Sequence, residues 1–292
     1  MDLRRLVDKA ELVREVRLQR RATLGLLYGL DEQAFDTPTA LPGWRVREVV
    51  AHLVTLDRGA VTGSVFPVLV GRGSTEALER WNDRQVPAWA DRPVPELLLG
   101  LERWGRRLTA LASALPEALY RLSVPTPWGR APAGLLLWSR AYDEWTHRQD
   151  VRRALGLGDE EVDLAVVAGF LLVAVGLDRA RTLRGLTGTV VLSLEGVPLP
   201  EWWFDLATGA FGPRRSGPDG PAAEPGARVE AGARVEAGAR AQAGTRISAP
   251  GPAFVMAAAG RDSFEDLRAG GRLVVEGDQA LADAFLEGLR VV

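Results

Sequence analysis

The chain has 292 residues, 47% of them hydrophobic, which is enough to form the cores of two domains. Its 36 basic and 38 acidic residues nearly cancel, so the composition disfavours nucleic acid and an anionic membrane surface as partners. The sequence contains no cysteine, which excludes disulfides, thiolate metal ligands and a cysteine nucleophile. Any sulfur chemistry must therefore arrive on a small molecule.

The N-terminal segment is charged throughout and lacks the apolar centre of a secretory signal. No run of 18 apolar residues follows it, so a transmembrane helix is not expected. We therefore expect a cytoplasmic protein. Separately, a monomer or a small homo-oligomer is expected.

Amphipathic helical patterns, separated by proline and glycine, fill the first half of the chain. Helices are expected at 10–30, at 45–58, within 94–115 and at about 134–155. Four such helices with turn-rich connections indicate a helical bundle. We place this domain at residues 1–156.

Beyond a predicted linker at 156–162, the pattern becomes mixed. Another helix is expected at about 163–183, and GTVVLSLEG and RLVVEGD have the character of strands. QALADAFLEGL follows as a helix that Asp278 caps. Residues 163–292 are thus predicted to form a smaller α+β domain, which gives a two-domain fold of an all-α bundle followed by mixed α and β structure.

Four tandem hexamers interrupt the second domain: GARVEA twice, then GARAQA and GTRISA, over residues 226–249. Their small apolar residues alternate with polar residues and glycine, as in a half-buried strand. A slip of one hexamer preserves both faces, so the register is weakly specified. We expect the last copy to occupy the sheet while the others loop out. The alternative is a disordered Ala/Gly/Pro insert at about 213–243.

Both histidines of the chain fall on predicted bundle helices. Asp143 and His147 are four residues apart and share a helix face, with roughly 5–6 Å between their Cβ atoms. His52, from the second helix, can enter the same interior. Two imidazoles, one carboxylate and an open position are typical of catalytic zinc. A hydrogen-bonded His–Asp pair at the edge of the core is the alternative.

Other carboxylates compete for roles around these histidines. Glu144 lies three residues before His147 and is an alternative ligand. Asp150, one turn further along, suits a supporting role that holds the imidazole in one tautomer. Glu48 either orients His52 or pairs with Arg45 at the surface.

LPGWRVREVVAHL, followed by DEWTHRQDVRRALG some ninety residues later, resembles the mycothiol-dependent maleylpyruvate isomerase family. The resemblance implies a DinB-like four-helix bundle in which His52, Asp143 and His147 bind zinc. It also implies mycothiol as the thiol cosubstrate. The family acid is often Glu, so Asp143 is a shorter variant of the ligand.

The C-terminal sequence from TRISAPGP to ADAFL resembles the sterol-carrier-like domain attached to many of these bundles. Relatives use an arginine of that domain at the active site, and Arg261 occupies the most similar context. The hexamer repeats depart from the family pattern.

The resemblance implies a metal-dependent thiol transferase or isomerase acting on a small electrophile. Zinc bound by two neutral imidazoles and one carboxylate keeps a positive charge and would deprotonate an entering thiol. Two alternatives remain. One is a non-catalytic binding protein with an apolar ligand beside Trp202 and Trp203, and the other is a metal-dependent hydrolase that activates water.

Overall fold

A computed structural model describes residues 8–70, 75–160, 164–214 and 244–289. These residues form two compact units, one that ends by residue 160 and one that begins at residue 164. The N-terminal unit is helical, and the smaller C-terminal unit contains a sheet, as the sequence predicts. The assignment of residues 1–156 and 163–292 as a metal-binding bundle and a sterol-carrier-like domain stays a prediction.

Four long helices dominate the N-terminal unit, and short elements connect them. The helices are α1 (Lys9–Tyr28), α2 (Val46–Thr62), α3 (Phe66–Val70), α4 (Thr75–Gln85), α5 (Pro87–Ala90), α6 (Val94–Ala114), α7 (Glu117–Tyr120) and α8 (Gly134–Ala154). A hairpin of β1 (Ser123–Thr126) and β2 (Gly129–Pro132) precedes α8. The four predicted helices are confirmed, with ends that shift by at most four residues. The short helices and the hairpin were not predicted.

The bundle core lies between α1, α2 and α6, and aliphatic side chains fill it. Leu27, Val50, Leu53, Leu97 and Leu101 are all at most 1% exposed and belong to one apolar cluster. Burial of such side chains contributes roughly 1.5–3 kcal/mol each. This apolar cluster fixes the positions of the helices that carry the polar residues described below.

Helix α8 differs from a simple amphipathic helix because it buries charged side chains as well as apolar ones. Arg140, Glu144, His147, Arg148 and Asp150 are each at most 8% exposed. Buried charges are costly unless they are paired and hydrogen-bonded. The polar partners of these side chains lie partly on α8 itself and partly on α1 and α2.

The carboxylate of Glu48 caps the start of α2. The backbone N–H of Arg45 donates to Oε2 of Glu48 at 2.8 Å, and the two side chains also form an ion pair. The sequence left two roles open for Glu48, orienting His52 or pairing with Arg45, and the structure shows the pairing with Arg45. The cap defines the first turn of the helix that carries His52.

The C-terminal unit holds a five-stranded mixed sheet. Its elements are α9 (Leu164–Thr182), β3 (Thr189–Glu195), β4 (Trp202–Asp205), β5 (Ala210–Pro213), β6 (Thr245–Pro250), α10 (Gly251–Ala258), α11 (Phe264–Ala269), β7 (Val274–Glu276) and α12 (Gln279–Leu286). The strand order is β5-β4-β3-β6-β7, and only the β3–β6 pair is parallel. The predicted helices and strands are confirmed, including the Asp278 cap, which accepts a hydrogen bond from the N–H of Leu281.

The last hexamer of the repeat forms β6, as predicted. Its residues alternate between buried and half-buried, with Thr245, Ile247 and Ala249 on the inner face. Leu192 of β3 is paired with Ile247 in the parallel ladder. The other three copies lie outside the described residues, as does most of the proposed disordered insert.

Aromatic side chains pack α9 and α12 against the sheet. The Phe204 ring lies 5.1 Å from the Phe285 ring, and Phe211 packs so close to Gly176 that any Cβ there would collide with it. Across the four described ranges, every helix is too short or too polar to span a bilayer.

Candidate metal centre

His52 of α2 meets Asp143 and His147 of α8 inside the helical unit. Each residue offers one ligand atom, and the three atoms lie within 4.8 Å of one another. Nε2 of His52 is 3.6 Å from Oδ2 of Asp143, and Nε2 of His147 is 3.4 Å from Oδ1. Among the described residues, no other group of three such side chains brings its ligand atoms this close. The convergence expected from the sequence is therefore present.

Asp150 holds the second nitrogen of the His147 imidazole. Oδ2 of Asp150 is 2.8 Å from Nδ1 of His147, and Asp150 is only 1% exposed. A carboxylate at this distance assigns the ring proton to Nδ1 and leaves the lone pair on Nε2. The predicted supporting role of Asp150 matches this contact.

The indole of Trp44 covers both imidazoles. Its ring centroid lies 5.2 Å from that of His52 and 6.2 Å from that of His147, and the imidazole centroids are 4.7 Å apart. Nδ1 of His52 is buried and has no hydrogen-bond partner among the described residues. Trp44 therefore supplies packing for His52, whereas Asp150 supplies a hydrogen bond for His147.

Glu144, the alternative ligand, faces away from the histidines. Its two carboxylate oxygens accept from Nε and Nη2 of Arg20 in α1, at 2.8 and 2.7 Å. Asp143 and Glu144 are neighbours in sequence, so successive positions on the helix direct them about 100° apart. The geometry thus favours Asp143 as the carboxylate of the centre.

Arginine and aspartate residues that the sequence did not single out surround Asp143. Arg140 donates to Oδ2 of Asp143 and, through Nε and Nη2, to Oδ1 of Asp57 at 3.2 and 3.0 Å. Asp57 is fully buried. The sequence offered one signal, for Arg140, which precedes Asp143 by three residues and so lies on the same side of the helix.

The charges around the centre shift its pKa values in opposite directions. Burial alone raises the pKa of the Asp143 carboxyl, but Arg140 and the two imidazoles together hold it well below its usual range. Burial lowers the pKa of His52 despite the nearby Asp143 carboxylate. Burial has the same effect on His147, but Asp143 and Asp150 outweigh it and raise that pKa. The site therefore holds an ionised carboxylate and favours a positive charge beside it.

This donor set fits a divalent metal. Two imidazole nitrogens and one carboxylate oxygen, all buried or half-buried, are typical ligands of catalytic zinc, which leaves a further position for a thiol or water. Nε2 of His147 is directed towards the shared space by the Asp150 contact. Only modest side-chain movement is needed to bring the three atoms to bonding distance.

Arg261 lies in the C-terminal unit, in the turn that follows α10, where its guanidinium donates to the carbonyl of Ala259. Its role in catalysis stays a prediction. Trp202 is buried in the sheet at 4% exposure and stacks with Phe211, while Trp203 is half-buried. Trp202 thus forms part of the core of its unit.

Comparison with known proteins agrees with this architecture. The fold is similar to two solved structures, described as the mycothiol-dependent maleylpyruvate isomerase and its H52A mutant. The first is 20% identical and the second 19%; each has a TM-score of 0.55, and each alignment covers 94% of this chain and 95% of the other. At such identity the similarity bears on the fold alone. No curated protein matches the chain.

The family comparison is more specific, because it rests on sequence. Residues 16–152 match the family described as the mycothiol maleylpyruvate isomerase N-terminal domain. The matched segment contains His52, Asp143 and His147. Residues 16–152, just under half of the chain, are thus similar to this N-terminal domain in sequence.

Proposed function

We propose that this protein is a metal-dependent, mycothiol-using isomerase or S-transferase that acts on a small electrophile. One observation carries the proposal: ligand atoms of His52, Asp143 and His147 lie within 4.8 Å of one another inside the bundle. The family match over residues 16–152 supports mycothiol as the thiol, and the lack of cysteine means that the chain cannot provide one itself.

In this proposal His52, Asp143 and His147 hold the metal, with zinc as the expected ion. Once bound, it would lower the pKa of a thiol ligand and so supply a nucleophile at neutral pH. Asp150 keeps the proton of the His147 ring on Nδ1, the nitrogen that faces away from Asp143. Trp44 lies over both imidazoles and excludes water from that side.

Arg140 contributes in a different way. It donates to Oδ2 of Asp143, which leaves Oδ1, the oxygen nearer to His147, as the ligand atom. The guanidinium also offsets part of the negative charge of Asp143 and Asp57, with which it forms ion pairs. The chain's own residues thus bind and orient a cation, and they restrict solvent around it.

Metal analysis and a thiol-dependence assay test the proposal together. We expect wild-type protein to bind one equivalent of zinc, and His147→Ala and Asp143→Asn to bind none. Asp159→Asn is the matched control for Asp143→Asn, because Asp159 pairs with Arg153 at an exposed position near the end of α8. The control should keep its zinc.

Activity is then measured on maleylpyruvate and on a panel of electrophiles, with and without mycothiol. Thiol-dependent isomerisation or conjugation that is lost in His147→Ala supports the proposal. Turnover without thiol indicates a metal-dependent hydrolase instead. Equal zinc content in wild type and His147→Ala would refute the metal centre.

A further inference from the structure

A cluster of buried charges extends from the candidate metal centre into the bundle. It consists of Arg20 of α1, Asp57 of α2, and Arg140, Asp143 and Glu144 of α8. We call these five residues the charge cluster. Three carboxylates against two guanidinium groups leave it with one excess negative charge, so its electrostatics favour a cation at its edge.

Asp57 occupies the centre of the charge cluster. Nη2 of Arg20 lies 2.7 Å from its Oδ2, a charge contact without hydrogen-bond geometry. Nη2 of Arg140 lies 3.0 Å from its Oδ1. The carboxylate is fully buried between the two guanidinium groups, so water cannot replace either contact.

Arg140 links Asp57 to the metal centre. Its Nε and Nη2 donate to Asp57, which leaves Nη1 for Oδ2 of Asp143. A planar guanidinium fixes the relative directions of its donors, so its orientation on Asp57 determines where Nη1 lies. Arg140 is 8% exposed, and its surroundings leave it little room to reorient.

We propose that Asp57 is a positioning residue, which acts through Arg140 to hold the Asp143 carboxylate with one oxygen available to the metal. This inference rests on the proposed function, because it assigns Asp143 as a ligand. Hydrogen-bonded partners of metal ligands commonly change metal affinity or activity 10- to 100-fold when they are removed. Asp57 is not such a direct partner: it accepts from Arg140, and Arg140 in turn donates to the proposed ligand Asp143.

Removal of the Asp57 charge has two effects of the same sign. The guanidinium of Arg140 loses its other strong anionic partner and pairs more tightly with Asp143, in competition with the metal. The charge cluster also loses its excess negative charge. Both effects weaken the binding of a divalent cation, so the isosteric change Asp57→Asn should raise the dissociation constant.

Cobalt and zinc, each added alone to the full-length protein, provide the test. The visible spectrum of bound Co²⁺ reports the coordination geometry, and chelator competition gives the dissociation constant for Zn²⁺. We expect Asp57→Asn to raise that constant about 10-fold, the lower end of the range for a direct partner, and to change the Co²⁺ spectrum. Circular dichroism confirms that each variant is folded.

Glu160→Gln is the matched control. Oε2 of Glu160 accepts from Nε of the buried Arg148 at 2.6 Å, so this variant also removes one carboxylate from a buried arginine of α8. Glu160 lies outside the charge cluster. Its variant should bind Co²⁺ and Zn²⁺ like wild type.

Arg140→Lys is a second variant, decisive if Asp57→Asn does not fold. Lysine keeps the charge but cannot hold Asp57 and Asp143 through one planar group, so an altered Co²⁺ spectrum is again expected. A folded Asp57→Asn or Arg140→Lys protein with wild-type affinity and spectrum overturns the positioning role alone, provided that His147→Ala binds no metal. Failure of wild type to bind either ion overturns the metal centre, and the positioning role with it.

Discussion

Nδ1 of His147 lies 2.8 Å from Oδ2 of Asp150, three residues further along the same helix. This contact fixes the ring so that Nε2 faces His52 and Asp143. Asp150→Asn keeps the shape but removes the anionic acceptor, and its amide can also donate to Nδ1. We therefore expect zinc affinity to fall about 10- to 100-fold, measured by chelator competition. Unchanged affinity would show that the ring needs no such support.

Asp143 and Glu144 are expected to differ sharply in their effects. Asp143→Asn removes a proposed ligand and should abolish stoichiometric zinc binding. Compared without metal, it should destabilise the fold less than Glu144→Gln, because the Asp143 side chain is more exposed than that of Glu144. Glu144→Gln deprives Arg20 of a buried bidentate partner and should lower the free energy of unfolding by about 3 kcal/mol. It should still bind one equivalent of zinc at saturation. Zinc content and denaturant unfolding of both variants check this, and the reverse pattern would make Glu144 the ligand.

Gly105 of α6 gives the charge cluster its space. A Cβ at this position would lie 2.4 Å from Nη1 of Arg20 and 3.4 Å from Oδ2 of Asp57. Gly105→Ala must displace a guanidinium held by ion pairs, and we expect a net loss of about 1–2 kcal/mol in the free energy of unfolding.

Gly25→Ala is the control for Gly105→Ala. Gly25 lies on the exposed side of α1, and a Cβ added there would meet no other atom within 4 Å. Helix propensity alone should therefore stabilise this variant by up to about 1 kcal/mol. Denaturant unfolding of both variants gives the comparison. Stabilisation by both substitutions would mean that Arg20 moves aside at no cost.

Metal removal should lower the stability of the helical unit. A ligand that binds only the folded state stabilises it by about 4 kcal/mol when its free concentration is 1,000 times the dissociation constant. The midpoint temperature of thermal unfolding of zinc-loaded wild type should therefore fall when a chelator is added. His147→Ala should unfold at one temperature with and without chelator, and a chelator-dependent shift in that variant would indicate a metal bound elsewhere.

The sequence predicted the parts of the site that depend on local geometry. Asp143, His147 and Asp150 lie on one helix at spacings of four and three residues, so their shared face follows from 3.6 residues per turn. The same reasoning correctly placed the long helices of the N-terminal unit. Both results need only short-range periodicity.

The hexamer repeat shows where periodicity stops being sufficient. A shift by six residues keeps the same faces, so the pattern itself does not distinguish the copies. In the structure the last copy forms β6, which is parallel to β3. This strand is followed directly by α10, which begins at Gly251. The position of the copy along the chain, next to the helix that follows, distinguishes it from the rest.

The sequence by itself therefore determined the helices, the shared face of Asp143 and His147, and the similarity of residues 16–152 to a known family of domains. Only the tertiary structure decided that Glu144 pairs with Arg20 while Asp143 faces His52. It also decided that Asp57 anchors Arg140. The reason is physical: these contacts join residues 80 or more positions apart, and only the packing of separate helices around a shared core brings such side chains together.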